Sequence, residues 1–295
     1  MRRGRGTEVG GCRLAGLALA LCGALAPAVA DASLVSRWGG AAYYDPELNL
    51  TWLQQARYAR TELSDARRDE IIAVVGSVAG HALTEADFQK TTSGSAYTGL
   101  MSWYGAVAWA DQLVVGGVSS WRLPEVTPLN GSSFDYAYSN NGTTDAGHKD
   151  PADPTTSRPS ELAYLFYVEL GNHGMCLADD LHPTRCPQAL PNPYDPLWKH
   201  SDLDKNYGPF LSAAVPFPYA TEMAEFWTGT ALPGVPAAWA FDWHEGNQFY
   251  TGRLDAYWQA WAVADGDVFG VPEPAAALLA LLGLAGLGLT RRRRA

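Results

Sequence analysis

The chain has 295 residues, and its 31 acidic residues outnumber its 21 lysines and arginines, which gives a formal net charge of −10 at pH 7. Because affinity for phosphates comes from lysine and arginine, this composition excludes nucleic acid as a partner. The length is enough for one large domain with a full hydrophobic core.

The N-terminus has the three parts of an export signal. Four arginines lie within the first 13 residues, and an apolar run, Leu14–Leu25, follows them. Ala28 and Ala30 then form a small-x-small cleavage site. This order predicts a secretory signal peptide over residues 1–30, removed by signal peptidase. A lipoprotein signal at Cys22 is the disfavoured alternative, because a leucine precedes it where a small residue is required.

The first half of the mature chain predicts strands and two helices. Period-two alternation of apolar residues and the Asp45-Pro46 turn signal predict a strand pair over Trp38–Leu53. Asp69–Ala79 is an apolar-rich candidate helix. Gly99–Val115 has the spacing of an amphipathic helix stopped by two glycines, and Trp121–Pro124 reads as a short strand.

The second half predicts long loops, one helix and further strands. Asn130–Arg158 is polar and aperiodic, which indicates an exposed loop. Ser160 is a good N-cap for a helix that ends before Gly171, and a proline-rich loop follows to Pro218. The remaining apolar segments alternate as strands do: Phe226–Thr228, Ala238–Trp243, Gln248–Thr251 and Trp258–Val263. Helices early and strands late predict an α+β domain with an antiparallel sheet.

Aromatic residues are the main candidates for ligand contact. The chain contains 11 tryptophans, and the alternation of most of them indicates core positions. The predicted core set is Trp52, Trp103, Trp109, Trp121, Trp239, Trp243, Trp258 and Trp261. Tyr194 and Trp198 lie in the proline-rich loop instead, where exposed rings can stack on sugars.

Two cysteines remain after the signal peptide is removed. Cys176 and Cys186 form an even pair in an oxidising compartment, which favours a disulfide. The alternative is a tetrahedral zinc site in which His173 and His182 join the two cysteines. Its spacing is unfamiliar, and we expect the disulfide.

The acidic loops offer weak calcium candidates and nothing that selects a catalytic pair. Asp265 and Asp267 form one Asp-x-Asp pair, but solvated loop carboxylates explain them more simply. The same applies to the acidic and amide side chains of the 130–158 loop, among them Asp135, Asn140, Asn141, Asp145 and Asp150. No nucleophile elbow, zinc-protease motif or phosphate loop is present, so we expect no enzyme and no cofactor besides calcium.

The C-terminal 25 residues have the composition of a targeting signal. The segment starts with Val271, Pro272, Glu273 and Pro274, continues as the apolar run Ala275–Leu289, and closes with Arg291, Arg292, Arg293 and Arg294. At a rise of about 1.5 Å per residue the apolar run gives roughly 23 Å of helix, short for a hydrocarbon core of about 30 Å. The arginines would stay at the cytoplasmic face.

This order of parts resembles the PEP-CTERM sorting signal of Gram-negative bacteria, over residues 271–295. The resemblance implies a transient membrane anchor, recognition by an exosortase, processing near the Pro-Glu-Pro element, and a link to exopolysaccharide production. An ordinary C-terminal tail anchor is the alternative. The two ends hold eight of the basic and two of the acidic residues, so residues 31–270 keep 13 basic and 29 acidic residues, a net charge near −16.

The middle of the chain resembles the DUF1566, or Lcl C-terminal-like, domain. The resemblance covers most of Tyr43–Val268 and is carried by the order of the following segments: DPELNLTWLQQARYA, MSWYGAVAWADQLVVGGVSSWRLPE, SELAYLFYVELGN, FWTGT, AWAFDWHEGNQ and AWAVADGDV. It implies a C-type-lectin-like fold and, from an adhesin of that family, polysaccharide binding. The acidity of this chain disfavours an anionic polysaccharide unless cations bridge the two.

These observations predict an exported protein of the cell surface or extracellular matrix that binds a polysaccharide or a protein partner. Two alternatives stay open, a secreted polysaccharide-modifying enzyme and a structural envelope protein without a ligand.

Overall fold

The computed structural model describes residues 34–174, 206–210, 225–254 and 256–270. Its strands are β1 (Val35–Arg37), β2 (Ala42–Asp45), β3 (Leu50–Leu53), β4 (Ser77–Val78), β5 (His81–Ala82), β6 (Phe88–Lys90), β7 (Tyr97–Met101), β8 (Trp121–Arg122), β9 (Tyr138–Ser139), β10 (Ala146–Gly147), β11 (Glu225–Ala231), β12 (Ala237–Asp242), β13 (Asn247–Gly252), β14 (Trp258–Gln259) and β15 (Val263–Asp265). Its helices are α1 (Ala59–Glu62), α2 (Asp65–Val75), α3 (Trp103–Asp111) and α4 (Glu161–Tyr164), which continues as a π-helical segment, Leu165–Glu169. Short 3-10 turns cover Trp38–Gly40, Glu85–Asp87 and Pro154–Thr156.

These elements form mostly antiparallel sheets with few helices, so the α+β prediction is confirmed. A five-stranded sheet has the order β1-β2-β3-β15-β8, and an eight-stranded sheet has the order β6-β7-β14-β11-β12-β13-β10-β9. In the second sheet, β11 with β14 and β9 with β10 are parallel pairs. A separate hairpin joins β4 and β5.

The predicted strand pair at the start of the domain is confirmed. β2 and β3 are antiparallel with Tyr43 opposite Trp52. The Asp45 carboxylate accepts hydrogen bonds from the backbone N–H groups of Glu47 and Leu48 at 2.9 and 3.0 Å, which closes the turn between them. The last of the described strands, β15, pairs with β3 and β8, so strands from the two ends of the domain lie in one sheet.

Tryptophan burial accounts for much of the core. Of the eight tryptophans predicted to be buried, seven are at most 4 % exposed and Trp258 is half-buried. Trp261 lies 5.2 Å from Trp52 and 5.3 Å from Trp243, measured between ring centroids. Such aromatic pairs contribute roughly 0.5–1.5 kcal/mol each beyond the area they bury.

The two faces of the eight-stranded sheet cover different parts of this core. On β12, Ala238 and Ala240 face the cluster that contains α3, while Phe241 faces the cluster that contains the π-helical segment. The small alanines leave room for the bulky residues of α3, including Trp103 and Trp109. The alternation along β12 is therefore what lets helices and loops cover both faces.

The prediction of one helix over Gly99–Val115 is wrong at its start. Residues up to Met101 form β7, and α3 begins only after Ser102. Ser102 acts as N-cap because its hydroxyl accepts a hydrogen bond from the backbone N–H of Gly105 at 3.2 Å. Gly99 has φ +81° and fits the strand, where its backbone lies against Arg60.

The helix predicted after Ser160 is confirmed, and the Ser160 hydroxyl caps it. The helix predicted from Asp69 starts four residues earlier, because Ser64 caps it through the N–H of Arg67. The single strand predicted over Trp258–Val263 is wrong. Its two ends belong to β14 and β15, which lie in different sheets, and the residues between them cross from one sheet to the other.

The 130–158 segment is more buried than its composition predicts. It contains β9 and β10, and His148 and Lys149 within it are buried. The Lys149 ammonium donates to the carbonyl oxygens of Thr144 and Asp145 at 3.0 and 2.9 Å. The prediction of an exposed loop failed because the buried Lys149 ammonium is satisfied by carbonyl groups within the segment itself.

We predict that Gly147→Ala destabilises the protein far more than Gly131→Ala. Both glycines have positive φ, +101° and +72°, so both substitutions add backbone strain of about 1 kcal/mol. A Cβ at position 147 would also overlap the backbone of Ser139, whereas at position 131 it meets open space. The expected loss for Gly147→Ala is about 3 kcal/mol. Thermal denaturation measures both, and equal losses would contradict the packing of β9 against β10.

Candidate functional site

A group of aromatic side chains lies at the β9 end of the eight-stranded sheet. We call Phe134, Tyr136, Tyr138, Trp239 and Tyr250 the aromatic edge. Tyr136 stacks on Trp239 with ring centroids 6.0 Å apart and planes inclined by 18°. Phe134 lies 5.2 Å from Trp239, and Tyr250 meets Tyr136 edge to face at 5.5 Å. These four rings thus support one another in fixed orientations, whereas the ring of Tyr138 contacts His148.

The aromatic edge presents tyrosine rings to solvent over a buried tryptophan. Tyr136, Tyr138 and Tyr250 are 41 %, 55 % and 43 % exposed, while Trp239 is fully buried. The indole N–H of Trp239 has no hydrogen-bond partner. Exposed rings on a rigid support lose little conformational entropy on binding, and their apolar faces with polar rims suit stacking on a sugar ring.

A buried carboxylate positions the loop that carries three of these rings. Asp145 accepts hydrogen bonds from the backbone N–H groups of Leu129 and Asp135 at 2.7 and 2.6 Å. The carbonyl of Asp145 in turn accepts from the Gln248 amide on β13 at 2.7 Å. Lys149 lies beside it, and burial lowers the pKa of its ammonium to about 8. The loop is therefore tied to the sheet through buried polar groups.

Tyr138 links the aromatic edge to a group of acidic side chains. Its hydroxyl lies 2.9 Å from Nδ1 of His148. Burial raises the pKa of Tyr138 to about 12, with further contributions from the carboxylates of Glu245 and Asp242. The phenol is therefore subject to the negative charge of both carboxylates.

We call Glu225, Asp242 and Glu245 the carboxylate cluster. Glu225 on β11 lies directly opposite Asp242 on β12, and Glu245 follows in the turn between β12 and β13. Asp242 accepts from the backbone N–H groups of His244 and Glu245 at 2.8 and 3.0 Å. Burial, and then the charge of Asp242, raise the pKa of Glu225 to about 7. The same two causes raise the pKa of Glu245.

A second buried carboxyl group lies away from the aromatic edge. Both carboxyl oxygens of Glu169 are shielded from solvent and have no hydrogen-bond partner. The same is true of one carboxyl oxygen of Asp45. Burial, followed by the charges of Asp45 and Glu47, raises the pKa of Glu169 to about 8. This arrangement is a cost of packing the π-helical segment against the β2–β3 turn.

A nearby cleft of about 230 Å³ is lined in part by charged side chains that already have partners. Glu161 at its wall forms two 2.8 Å hydrogen bonds with Arg122, and the Arg158 guanidinium lies 5.5 Å from the Tyr164 ring. Pockets that enclose small ligands usually measure about 300–1,000 Å³. The open aromatic edge is thus the better candidate for ligand contact.

Both aspartates predicted as calcium candidates form ion pairs with arginine side chains. Asp265 pairs with Arg122 at 2.6 Å, and Asp267 pairs with Arg37 at 2.6 Å. In the polar loop, Asp145 is used for backbone hydrogen bonds. Within the part of the chain that the structure describes, no group of three or more His, Cys, Asp or Glu side chains could hold a metal ion.

Several predicted sites lie outside the described residues. They are the signal cleavage residues Ala28 and Ala30, the disulfide pair Cys176 and Cys186, the ring candidates Tyr194 and Trp198, and the whole sorting segment from Val271 to Arg294. Of the zinc alternative, only His173 is described. No helix formed by the described residues is long and apolar enough to cross a membrane.

The sequence prediction missed the rings of the aromatic edge that lie in the 130–158 loop. Phe134, Tyr136 and Tyr138 occupy alternate positions in an otherwise polar stretch. That alternation is the available signal, because it places three rings on one side of an extended segment. The carboxylate cluster gave no comparable signal, since it depends on the register between β11 and β12.

No protein-family model, curated protein or solved structure matches the chain. The case for a function therefore depends on the residues described above.

We predict that Glu169→Gln and Glu225→Gln stabilise the protein at pH 8 and have little effect at pH 4.5. Both folded-state pKa values lie above the ordinary value of 4.5, at about 8 and about 7. The folded state then binds more protons than the unfolded state between those values, so stability falls as pH rises through this window. Allowing for solvent screening of partly exposed groups, we expect about 1 kcal/mol each, or roughly 2–4 °C in Tm.

Thermal denaturation at pH 4.5, 6 and 8 measures this difference. Glu125→Gln is the control, because Glu125 is exposed and its substitution removes the same charge. A gain in Tm that is the same at all three pH values would show that the two carboxyl groups are not buried as described.

Proposed function

We propose that this chain is an exported protein of the cell surface or extracellular matrix whose folded domain binds polysaccharide at the aromatic edge. The observation that carries the binding part is the pair of exposed tyrosines, Tyr136 and Tyr250, held against the buried ring of Trp239. Large apolar rings are exposed at an energetic cost in water, and their clustering is typical of interaction sites.

The export part of the proposal rests on the two ends of the sequence. Residues 1–30 have the order of a signal peptide, and residues 271–295 resemble a PEP-CTERM sorting signal. In this proposal an exosortase processes the protein near Pro272, Glu273 and Pro274. The protein is anchored in the inner membrane only until then.

We further propose that residues 31–270 form a DUF1566, or Lcl C-terminal-like, domain with a C-type-lectin-like fold. The mixed α+β architecture and the long loops are consistent with this assignment. The Trp-Arg-Leu-Pro element, which carries much of the resemblance, provides β8 and pairs with the last strand, β15. Polysaccharide binding on a loop-bearing edge fits such a domain.

We predict that Tyr136→Ala combined with Tyr250→Ala weakens binding of the purified protein to the host's exopolysaccharide at least about fivefold. Loss of two stacking rings removes about 1–3 kcal/mol of binding free energy. Sedimentation of the protein with insoluble polysaccharide, or microcalorimetry with soluble fractions, measures the affinity. Trp38→Ala is the control, because Trp38 is 50 % exposed and stacks on Phe269, away from the aromatic edge. Unchanged binding by the double variant would refute the assignment of the site.

The carboxylate cluster favours one alternative function, a secreted polysaccharide-modifying enzyme. A carboxyl group with a pKa near 7, such as Glu225, is protonated often enough at neutral pH to act as a general acid beside an ionised partner. The binding experiment distinguishes the two functions when the length of the polysaccharide is followed during incubation. Shortening that Glu225→Gln abolishes would replace the binding function with catalysis.

We predict that the mature protein at the cell surface or in the medium lacks both ends of the chain. Mass spectrometry of these fractions is expected to find an N-terminus at Asp31 and no peptide from Ala275–Ala295. Pro272→Ala with Pro274→Ala is expected to leave the protein in the inner membrane. An intact C-terminus on the surface protein would contradict processing and favour the ordinary tail anchor.

A further inference from the structure

We propose that the domain surface around Trp38 lies in the interfacial region of a lipid bilayer while residues 271–295 are still attached. We call Trp38, Val114, Gly116 and Phe269 the Trp38 face. This contact rests on the proposed function, because only the anchored form brings the domain to a bilayer. It adds a second contact with the membrane, made by the folded domain itself.

Gly116 brings the two aromatic rings of the Trp38 face together. A Cβ added at Gly116 would lie 2.7 Å from the ring of Phe269 and 3.2 Å from the ring of Trp38. The two rings stack with their centroids 5.3 Å apart and their planes inclined by 12°. Val114, two residues before Gly116, is 64 % exposed. The rings thus form one apolar surface, and Val114 adds exposed apolar area on the loop beside it.

Trp38 keeps its ring in water although its backbone conformation is costly. The residue is 50 % exposed, and no other tryptophan in the described part of the chain is as exposed. Its φ of +48° lies in the left-handed region, which residues with a Cβ adopt at a cost in free energy. Glycine or asparagine adopts this conformation more readily, so folding alone does not explain a tryptophan here. Such costs are typical of positions that serve an interaction.

The Trp38 face lies beside the start of the C-terminal apolar segment. Phe269 is followed by Gly270, the last described residue, and the apolar run begins at Ala275. The five steps from Gly270 to Ala275 span at most about 18 Å when fully extended. In the anchored form the Trp38 face is therefore held close to the bilayer, and the covalent link gives it a high effective concentration there.

The chemistry of the Trp38 face suits a membrane–water interface. Tryptophan is enriched at such interfaces, because its apolar ring carries an N–H group that can stay hydrated. The acidic residues nearest along the chain are Asp267 and Asp111. Asp267 forms a 2.6 Å ion pair with Arg37, and the exposed Asp111 accepts a 2.8 Å hydrogen bond from the Gln112 side chain. Paired or hydrated groups of this kind are compatible with the polar headgroup region.

The test measures contact between Trp38 and lipid by fluorescence quenching. The full chain is expressed in a host without an exosortase, and the form that retains residues 271–295 is purified from membranes. It is reconstituted, at one copy per vesicle, in phosphatidylethanolamine and phosphatidylglycerol, part of which is brominated on the acyl chains close to the headgroup.

Trp38→Phe is the spectroscopic blank, because it removes the fluorophore and keeps an apolar ring against Phe269. The difference between the two spectra is the emission of Trp38. We expect brominated lipid to lower this emission by about half, because half of the residue is exposed and would contact lipid. Acrylamide, which quenches from the water phase, should have little effect.

A reporter at another exposed position controls for general contact with the vesicle. Leu254 is also 50 % exposed, and it lies near the start of α3, because the backbone N–H of Trp103 donates to the carbonyl of Arg253 at 3.1 Å. Gly116 follows the other end of this nine-residue helix, which is about 13 Å long. Leu254→Trp in the Trp38→Phe background should be quenched by acrylamide and hardly by brominated lipid.

The outcomes distinguish the bilayer contact from the proposed function. If the chain does not float with the vesicles, the anchor in the proposed function fails and the contact fails with it. If the chain floats but acrylamide quenches Trp38 and brominated lipid does not, only the contact is refuted. Quenching by neither agent also refutes it, because the chain's own C-terminal segment would then cover the ring. Equal quenching of Trp38 and the Leu254→Trp reporter by brominated lipid refutes a contact made by this face.

Discussion

The burial of Trp261 between the two large sheets is the contact on which the architecture depends. Its ring packs against Trp52, Trp243, Phe210 and Phe226, and its indole N–H donates to the carbonyl of Leu53 at 2.8 Å. The residue sits where the chain crosses from β14 in one sheet to β15 in the other. A side chain that fills the space at this crossing fixes the position of one sheet against the other, because densely packed interiors tolerate few voids.

The aromatic edge depends on a different kind of contact. The loop that carries Tyr136 and Tyr138 buries little apolar area, so hydrogen bonds to Asp145 fix its path. Asp145 and Lys149 are both almost fully buried, and each binds backbone groups of the same loop. Groups of this kind cost free energy unless they are satisfied, and once satisfied they select one conformation of the loop.

The sequence predicted the elements whose signals are local. Asp45-Pro46 and the alternation around it were sufficient for β2 and β3, and Ser160 was sufficient for the start of α4. The start of α3 was missed because helical spacing continues backwards through Leu100, while Ser102 acts as a cap. The crossing at Trp261 was missed because the strand-like pattern of apolar residues continues from β14 to β15. It continues because both strands lie in buried sheets. The aromatic edge depends on partners about a hundred residues apart, and the carboxylate cluster depends on the register between β11 and β12, and no local pattern reveals either.

The sheets formed by the described residues end in short strands, which limits how copies of the chain can pair at their edges. The outermost strands, β1, β8, β6 and β9, are two or three residues long, and β6 contains a register shift. Each offers only a few unpaired backbone groups to another copy of the chain. Strand addition between neighbours would gain few hydrogen bonds, so these edges oppose the growth of fibres. Copies crowded side by side can then remain separate molecules, each with its aromatic edge accessible.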